Sequence, residues 1–227
     1  MGLFALSIAL VLAACTTGTV PVGPVPATIT VPAPTAETAS PLVPETQTVK
    51  VRIIGDDQLA LPEWNIVSDT SALPAQCQSF PSPYAIGPNI QYCSPHVDGA
   101  DVCWAPPGQH FIYCGNTPWD HTVRKIFATD VVSAVPASID PQPWAIELAD
   151  GTRCPAKFEN GNRQGANGTL ALYTCDSGLN VMAKDNDHVI DTSNPIWTVI
   201  VGEVDGGTGS TAPPGKRVAV KAVYYAA

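Results

Sequence analysis

The 227-residue chain has 20 acidic and 11 basic side chains and a formal charge of −9 at neutral pH. That balance excludes nucleic acid and anionic lipid as electrostatic partners, because both recruit clustered Lys and Arg. Seven cysteines and 23 prolines point to an exported, disulfide-bearing protein with a non-globular stretch.

Gly2 to Ala14 is apolar and uncharged. It is shorter than the roughly 20 apolar residues a membrane-spanning helix needs. Its length suits a signal-peptide core with small residues before the cut. Leu12-Ala13-Ala14-Cys15 closes the run and resembles the cleavage motif of bacterial lipoproteins. The resemblance implies cleavage after Ala14 and a lipid on the Cys15 sulfur. Residues 1–14 are thus read as the signal segment. No Lys or Arg precedes the run, which leaves open a translation start a few codons earlier. At about 0.8 kcal/mol per buried CH2, two or three acyl chains give stable anchoring. The expected location is the extracytoplasmic face of a membrane, with the folded part in the periplasm or cell wall.

Residues 15–48 read as the lipidated cysteine and a linker. Thr16 to Thr48 is Thr, Pro, Val and Ala, with prolines at 21, 24, 26, 32, 34, 41 and 44. Proline fixes φ and removes a donor, so no packed core is expected. A spacer of this kind reaches at most roughly 100 Å at about 3.1 Å per residue.

Residues 49–227 read as one globular domain, rich in Trp, Tyr, Ile and Cys. Strand signals fall at Val51 to Ile54, Asn89 to Ser94, Asp101 to Ala105, His110 to Cys114, Trp144 to Leu148 and Leu170 to Cys175. Ile196 to Val204 and Arg217 to Tyr225 read as a C-terminal hairpin, and Thr122 to Thr129 as a strand or short helix. No long 3.6-residue period appears, so the expected class is mainly β and antiparallel, with at most one short helix.

Cys77, Cys93, Cys103, Cys114, Cys154 and Cys175 form an even set without a Cys-x-x-Cys. This suits a disulfide framework, not a redox motif or zinc knuckle. Cys154 and Cys175 flank a Gly- and Asn-rich loop and read as one pair. Pro106-Pro107-Gly108 sets a hairpin opposing Cys103 to Cys114; a turn at Asp98-Gly99 opposes Cys93 to Cys103 instead. The two hairpins are read as exclusive. The reading adopts Cys77–Cys93 with Cys103–Cys114 and keeps Cys93–Cys103 as the alternative.

No Gly-x-Ser-x-Gly is present, and Asp120 and His121 are adjacent, so on a strand they point to opposite faces. Gly206 to Lys216 lacks the glycine spacing and the Ser or Thr of a phosphate loop. His96, His110, His121 and His188 lack zinc spacing, and Lys184 to Asp187 with Asp191 lacks the glycine and glutamate of a calcium loop. Glu147 and Asp150 are an unmarked pair of acids. No catalytic, metal or cofactor residue is therefore assigned. Trp104, Trp119, Trp144, Trp197, Tyr92, Tyr113 and Tyr173 read as core aromatics, with an exposed binding patch as the alternative.

Ile146 to Cys154 followed by Ala171 to Cys175, and Asn89 to Cys93 with Val102-Cys103-Trp104, resemble small exported lipoproteins of mycobacteria and related actinobacteria. The resemblance covers roughly Cys77 to Cys175 and implies no activity. The functional expectation is a non-enzymatic envelope lipoprotein presenting a β domain to a protein or glycan. The alternative is a hydrolase of cell-wall or exported substrates with a site assembled from distant residues.

Overall fold

The computed structural model describes residues 44–68, 74–94, 102–156, 164–184, 189–204 and 212–227. Cys15 and most of the linker lie outside these residues, as do the Asp98-Gly99 turn, His96, His188, Asp185 to Asp187 and Gly206 to Ser210. The strands are β1 (Gln47–Val51), β2 (Asn65–Ser68), β3 (Gln76–Pro81), β4 (Ile90–Ser94), β5 (Val102–Trp104), β6 (Phe111–Gly115) and β7 (Thr122–Phe127). They continue with β8 (Ala145–Leu148), β9 (Arg153–Pro155), β10 (Thr169–Thr174), β11 (Asn180–Lys184), β12 (Thr198–Gly202) and β13 (Lys216–Ala226). Among the described residues the helical content is one 3₁₀ turn, Ala166–Gly168. The fold is mainly β and antiparallel, with disulfide-paired cysteines.

The first sheet runs β2-β7-β6-β5-β4-β3. Strands β3 to β7 form an antiparallel meander, and β2 adds parallel to β7. Over its central strands both faces are buried. On the front, Ile90, Trp104 and Tyr113 lie opposite one another and pack with Val102 and Val123. On the back, Gln91, Cys103 and Cys114 share a row, flanked by Cys77, Cys93, Ile112 and Ile126. The alternation of a strand puts both disulfides on the back face.

Directly opposed residues of an antiparallel pair bring their Cβ atoms close enough to bridge. Cys77 opposes Cys93, and Cys103 opposes Cys114; both pairs are disulfides, with Cα atoms 4.0 and 4.1 Å apart. Pro107 and Gly108 turn β5 into β6: Gln109 N–H donates to Pro106 O at 3.3 Å and Gly108 has φ +80°. That positive φ is why glycine follows the prolines.

The alternative pairing, Cys93 with Cys103, does not form. Strand β5 is interior and pairs through both edges. Its register with β4 opposes Gln91, not Cys93, to Cys103. Cys93 opposes Cys77 instead.

The second sheet runs β10-β11-β12-β13-β8-β9, with β1 parallel to β13. Its two ends meet. Ala156 bridges Tyr173, Asp176 N–H donates to Arg153 O at 3.0 Å, and Cys154 is bonded to Cys175 in the same register. The six strands therefore close into a small barrel, and the third disulfide staples its seam. Ile146, Leu148, Tyr173, Val181, Val199, Val201, Val220 and Val223 fill it. The Tyr173 hydroxyl donates to Pro143 O at 2.7 Å.

Strand β13 joins the two halves. Its register slips against β8 between Val220 and Ala222, a bulge at Lys221. The extra residue reverses which parity faces inward. Val218 and Val220 before it, and Val223 and Tyr225 after it, all pack on the barrel core. Tyr224 and Ala226 consequently face the first sheet's core, with Trp64, Trp104 and Trp144. Ala227 is held there too: its N–H donates to Val51 O at 2.8 Å and its O accepts from Trp104 Nε1 at 3.0 Å.

The domain's first strand begins at Gln47, inside the stretch read as linker. Thr46 explains this: its hydroxyl donates to Val220 O at 2.7 Å and accepts from Trp197 N–H at 2.8 Å. Val51 to Ile54 is not a strand; β1 ends at Val51 and Ile54 makes only a bridge to Ala60.

Candidate functional site

The back face of the first sheet is covered by the segment that leaves β7, residues 128–135. Three sets of backbone bonds fix it. Thr129 N–H donates to Ala75 O at 3.0 Å, beside the start of β3. Val132 N–H donates to Gln109 O at 2.9 Å, and Gly108 N–H donates to Val132 O at 3.0 Å. Asn89 N–H donates to Val135 O at 2.9 Å, while its Oδ1 accepts from Val135 N–H at 3.2 Å. Val132 is the anchor: it packs among Cys93, Cys103, Ile112, Cys114 and Ile126.

The cover does not reach β3. Between them lies a cleft of about 400 Å³. Its floor is Gln91 and Cys77, with Ala75, Ala128 and Val132. Gln76 and Ser79 of β3 form one wall, and Asp130, Val131 and Ser133 the other. The wall residues are exposed, while Gln91 is only 1% exposed. A buried carboxamide costs free energy unless it is bonded. Gln91 Nε2–H donates to Ser133 O at 2.5 Å, so the amide pins the far wall to β4. The cleft is thus fixed by backbone bonds, a buried amide and an adjacent disulfide, and is shaped before any ligand arrives. A volume of this size is in the range of ligand sites, roughly 300–1,000 Å³.

Residues that sequence weighed for chemistry are scattered. Glu147, on β8, accepts from Lys221 Nζ and from the Tyr224 hydroxyl, both at 2.8 Å. Burial pushes its carboxyl up, but those bonds and the nearby charges of Lys221 and Arg153 outweigh it, and its pKa lies below the usual value. Asp150 sits in the next turn and accepts from Thr152 N–H at 2.9 Å, which also lowers its pKa. Neither carboxyl is tuned to hold a proton at neutral pH, as a general acid must. Asp191 is paired with Arg217 at 2.6 Å and bonded by Ser193. His121 lies against Trp64, ring centres 5.1 Å apart. Among the described residues no three His, Cys, Asp or Glu gather as a metal site would require.

The aromatics divide. Trp104, Trp144, Tyr113 and Tyr173 are core residues, and Trp104 meets Trp144 edge-on at 5.6 Å. Trp119 and Trp197 are half-buried; Trp119 packs edge-on to Tyr224, with Arg153 over its ring. Tyr92 stacks on exposed Phe80 at the sheet's β3 edge.

Sequence reasoning missed Gln76, Ser79, Gln91, Asp130 and Ser133. One signal was present: Gln91 sits between Ile90 and Tyr92 at the parity of Cys93, where a core residue is expected. The other four carry no local mark and are joined only by the path of the cover segment. Comparison with known protein families, with curated proteins and with solved structures returns no match.

Proposed function

We propose that this chain is a lipid-anchored envelope protein that acts by binding a partner, not by catalysis. Cys15 carries the anchor, the Pro/Thr segment is the spacer, and the β domain presents its polar cleft to a protein or glycan. The observation that supports this reading most is the preformed cleft itself, whose walls are exposed donors and acceptors. A photo-crosslinking residue at Val131 captures the partner in native envelopes. Expected is one dominant adduct, absent when the probe sits at Lys50 on β1. Equal adducts from both positions overturn the assignment of the cleft. Anchoring is tested by partition into non-ionic detergent. The wild-type chain enters the detergent phase and Cys15→Ala stays in water; if both stay in water, the anchor reading is wrong.

A further inference from the structure

We propose that the cleft beside the Cys77–Cys93 disulfide is a site for a neutral saccharide. The inference rests on the binding reading above and names its ligand class. The lining is two carboxamides, Gln76 and Gln91, two hydroxyls, Ser79 and Ser133, and one carboxylate, Asp130. Among the described residues no Lys, Arg or His lines it. With Asp130 as the one charge among the described lining residues, and an acidic chain around it, phosphate, sulfate and carboxylate ligands are repelled. A divalent cation is held tightly where several carboxylates converge, and a single carboxylate among neutral oxygens supplies little of that charge. A purely apolar ligand would strand the wall's donors and acceptors without partners.

A polyhydroxylated ring fits what remains. Each hydroxyl both donates and accepts, and so does each carboxamide; the carboxylate accepts from two neighbouring hydroxyls at once. Val131 is half-exposed at the rim, a small apolar surface beside a mostly polar lining, for contact with the C–H face of a sugar ring. Gln91 acts through Ser133: its amide fixes the wall to the floor and is a positioning residue.

The test uses the full-length oxidised chain in a polyoxyethylene detergent, since alkyl glycosides would compete. Neutral hexose and pentose tetrasaccharides bearing a diazirine are titrated, with sulfated counterparts beside them. Expected is saturable binding of at least one neutral sugar, with adducts in residues 75–79 or 128–133. Gln76→Ala and Asp130→Ala each weaken it about tenfold, the loss of one good hydrogen bond. Lys221→Ala, on the barrel, leaves affinity unchanged. The proposal is overturned by no neutral sugar binding, by adducts elsewhere, or by sulfated sugars binding as well. A polypeptide captured at Val131 with no sugar bound overturns the saccharide and leaves the binding reading standing. No adduct at Val131 and no sugar bound overturns both.

Discussion

The two halves of this domain solve the same problem in different ways. Both are small sheets that must hide backbone edges and apolar faces. The barrel does so by closing on itself, so its ladder ends meet at a single bridge and a disulfide. The first sheet stays open. Its front is buried against the barrel side, and its back is covered by a loop tied down at three points. Closure removes edges and packs the interior with apolar side chains. A cover that is a loop, not a sheet, leaves a gap, and the cleft is that gap. The comparison teaches where a polar cleft forms: in the half whose packing is completed by loop residues, which are free to carry polar side chains.

The two halves share β13, and this predicts one cooperative unit. Trp104→Ala is expected to cost about 4 kcal/mol, as for large buried aromatics. Trp104 meets Trp144 and donates to Ala227 O, so its loss opens a cavity and removes this donor from the Ala227 oxygen at the junction. Urea unfolding should show one transition at lower midpoint. Two transitions, with the barrel's unmoved, would show that the halves are stable separately.

The disulfides sharpen the contrast. Removing Cys154 and Cys175 together by alanine is expected to cost about 3 kcal/mol on the loop-entropy view. The matched Cys103/Cys114 double variant closes a shorter loop, 11 residues against 21, and costs somewhat less. The more telling difference is local. Strands β5 and β6 keep their ladder without a staple, whereas the seam keeps the Ala156–Tyr173 bridge and the bonds between Arg153 and Asp176. Hydrogen exchange at residues 153–155 and 169–175 should therefore accelerate in the seam variant, with residues 102–115 unchanged. Equal acceleration in both halves would mean that the seam does not open by itself.

Much of this architecture was legible because turns and β-branched runs are local signals. Pro106-Pro107-Gly108 fixed a hairpin and with it a cysteine pair. The runs 196–204 and 217–225 announced their strands. What stayed hidden was set by tertiary partners. Strand β11 is buried at Asn180, Val181, Met182 and Ala183 in succession, so no alternation marks it. Strand β2 is exposed at every residue and lacks an apolar face to read. The bulge at Lys221 carries no glycine; it exists because β13 must face two cores in turn. The cleft depends on where residues 128–135 run, and no spacing in the sequence encodes that path.

A smaller effect probes the barrel alone. Tyr173 is buried, and burial raises its pKa well above 10, with Tyr84 and Tyr225 adding to the rise. Its stabilising share is complete below pH 10 and is lost as pH climbs beyond it, when the unfolded chain ionises and the folded one resists. Tyr173→Phe removes a hydrogen bond to Pro143 O and costs about 1 kcal/mol at neutral pH. The same variant should show a shallower alkaline decline in midpoint. An unchanged decline would place the alkaline weakness in another tyrosine.

The smallest effect tests what holds the junction. Glu147 is bonded by Lys221, the bulged residue, and by Tyr224 just beyond it. Its carboxyl side chain is 12% exposed, but Lys221 is 54% exposed, and water screens such a pair. Because the folded pKa lies below the ordinary 4.5, the contribution is present above that pH and fades as pH falls beneath it. Glu147→Gln should lower the melting temperature by about 2 °C at pH 7, and less at pH 3. A drop as large as the Trp104→Ala effect would mean that the bulge is held by this polar tie. The small drop expected here assigns the turn of β13 to packing: Val220 and Val223 both need the barrel core, and only an extra residue between them lets both reach it.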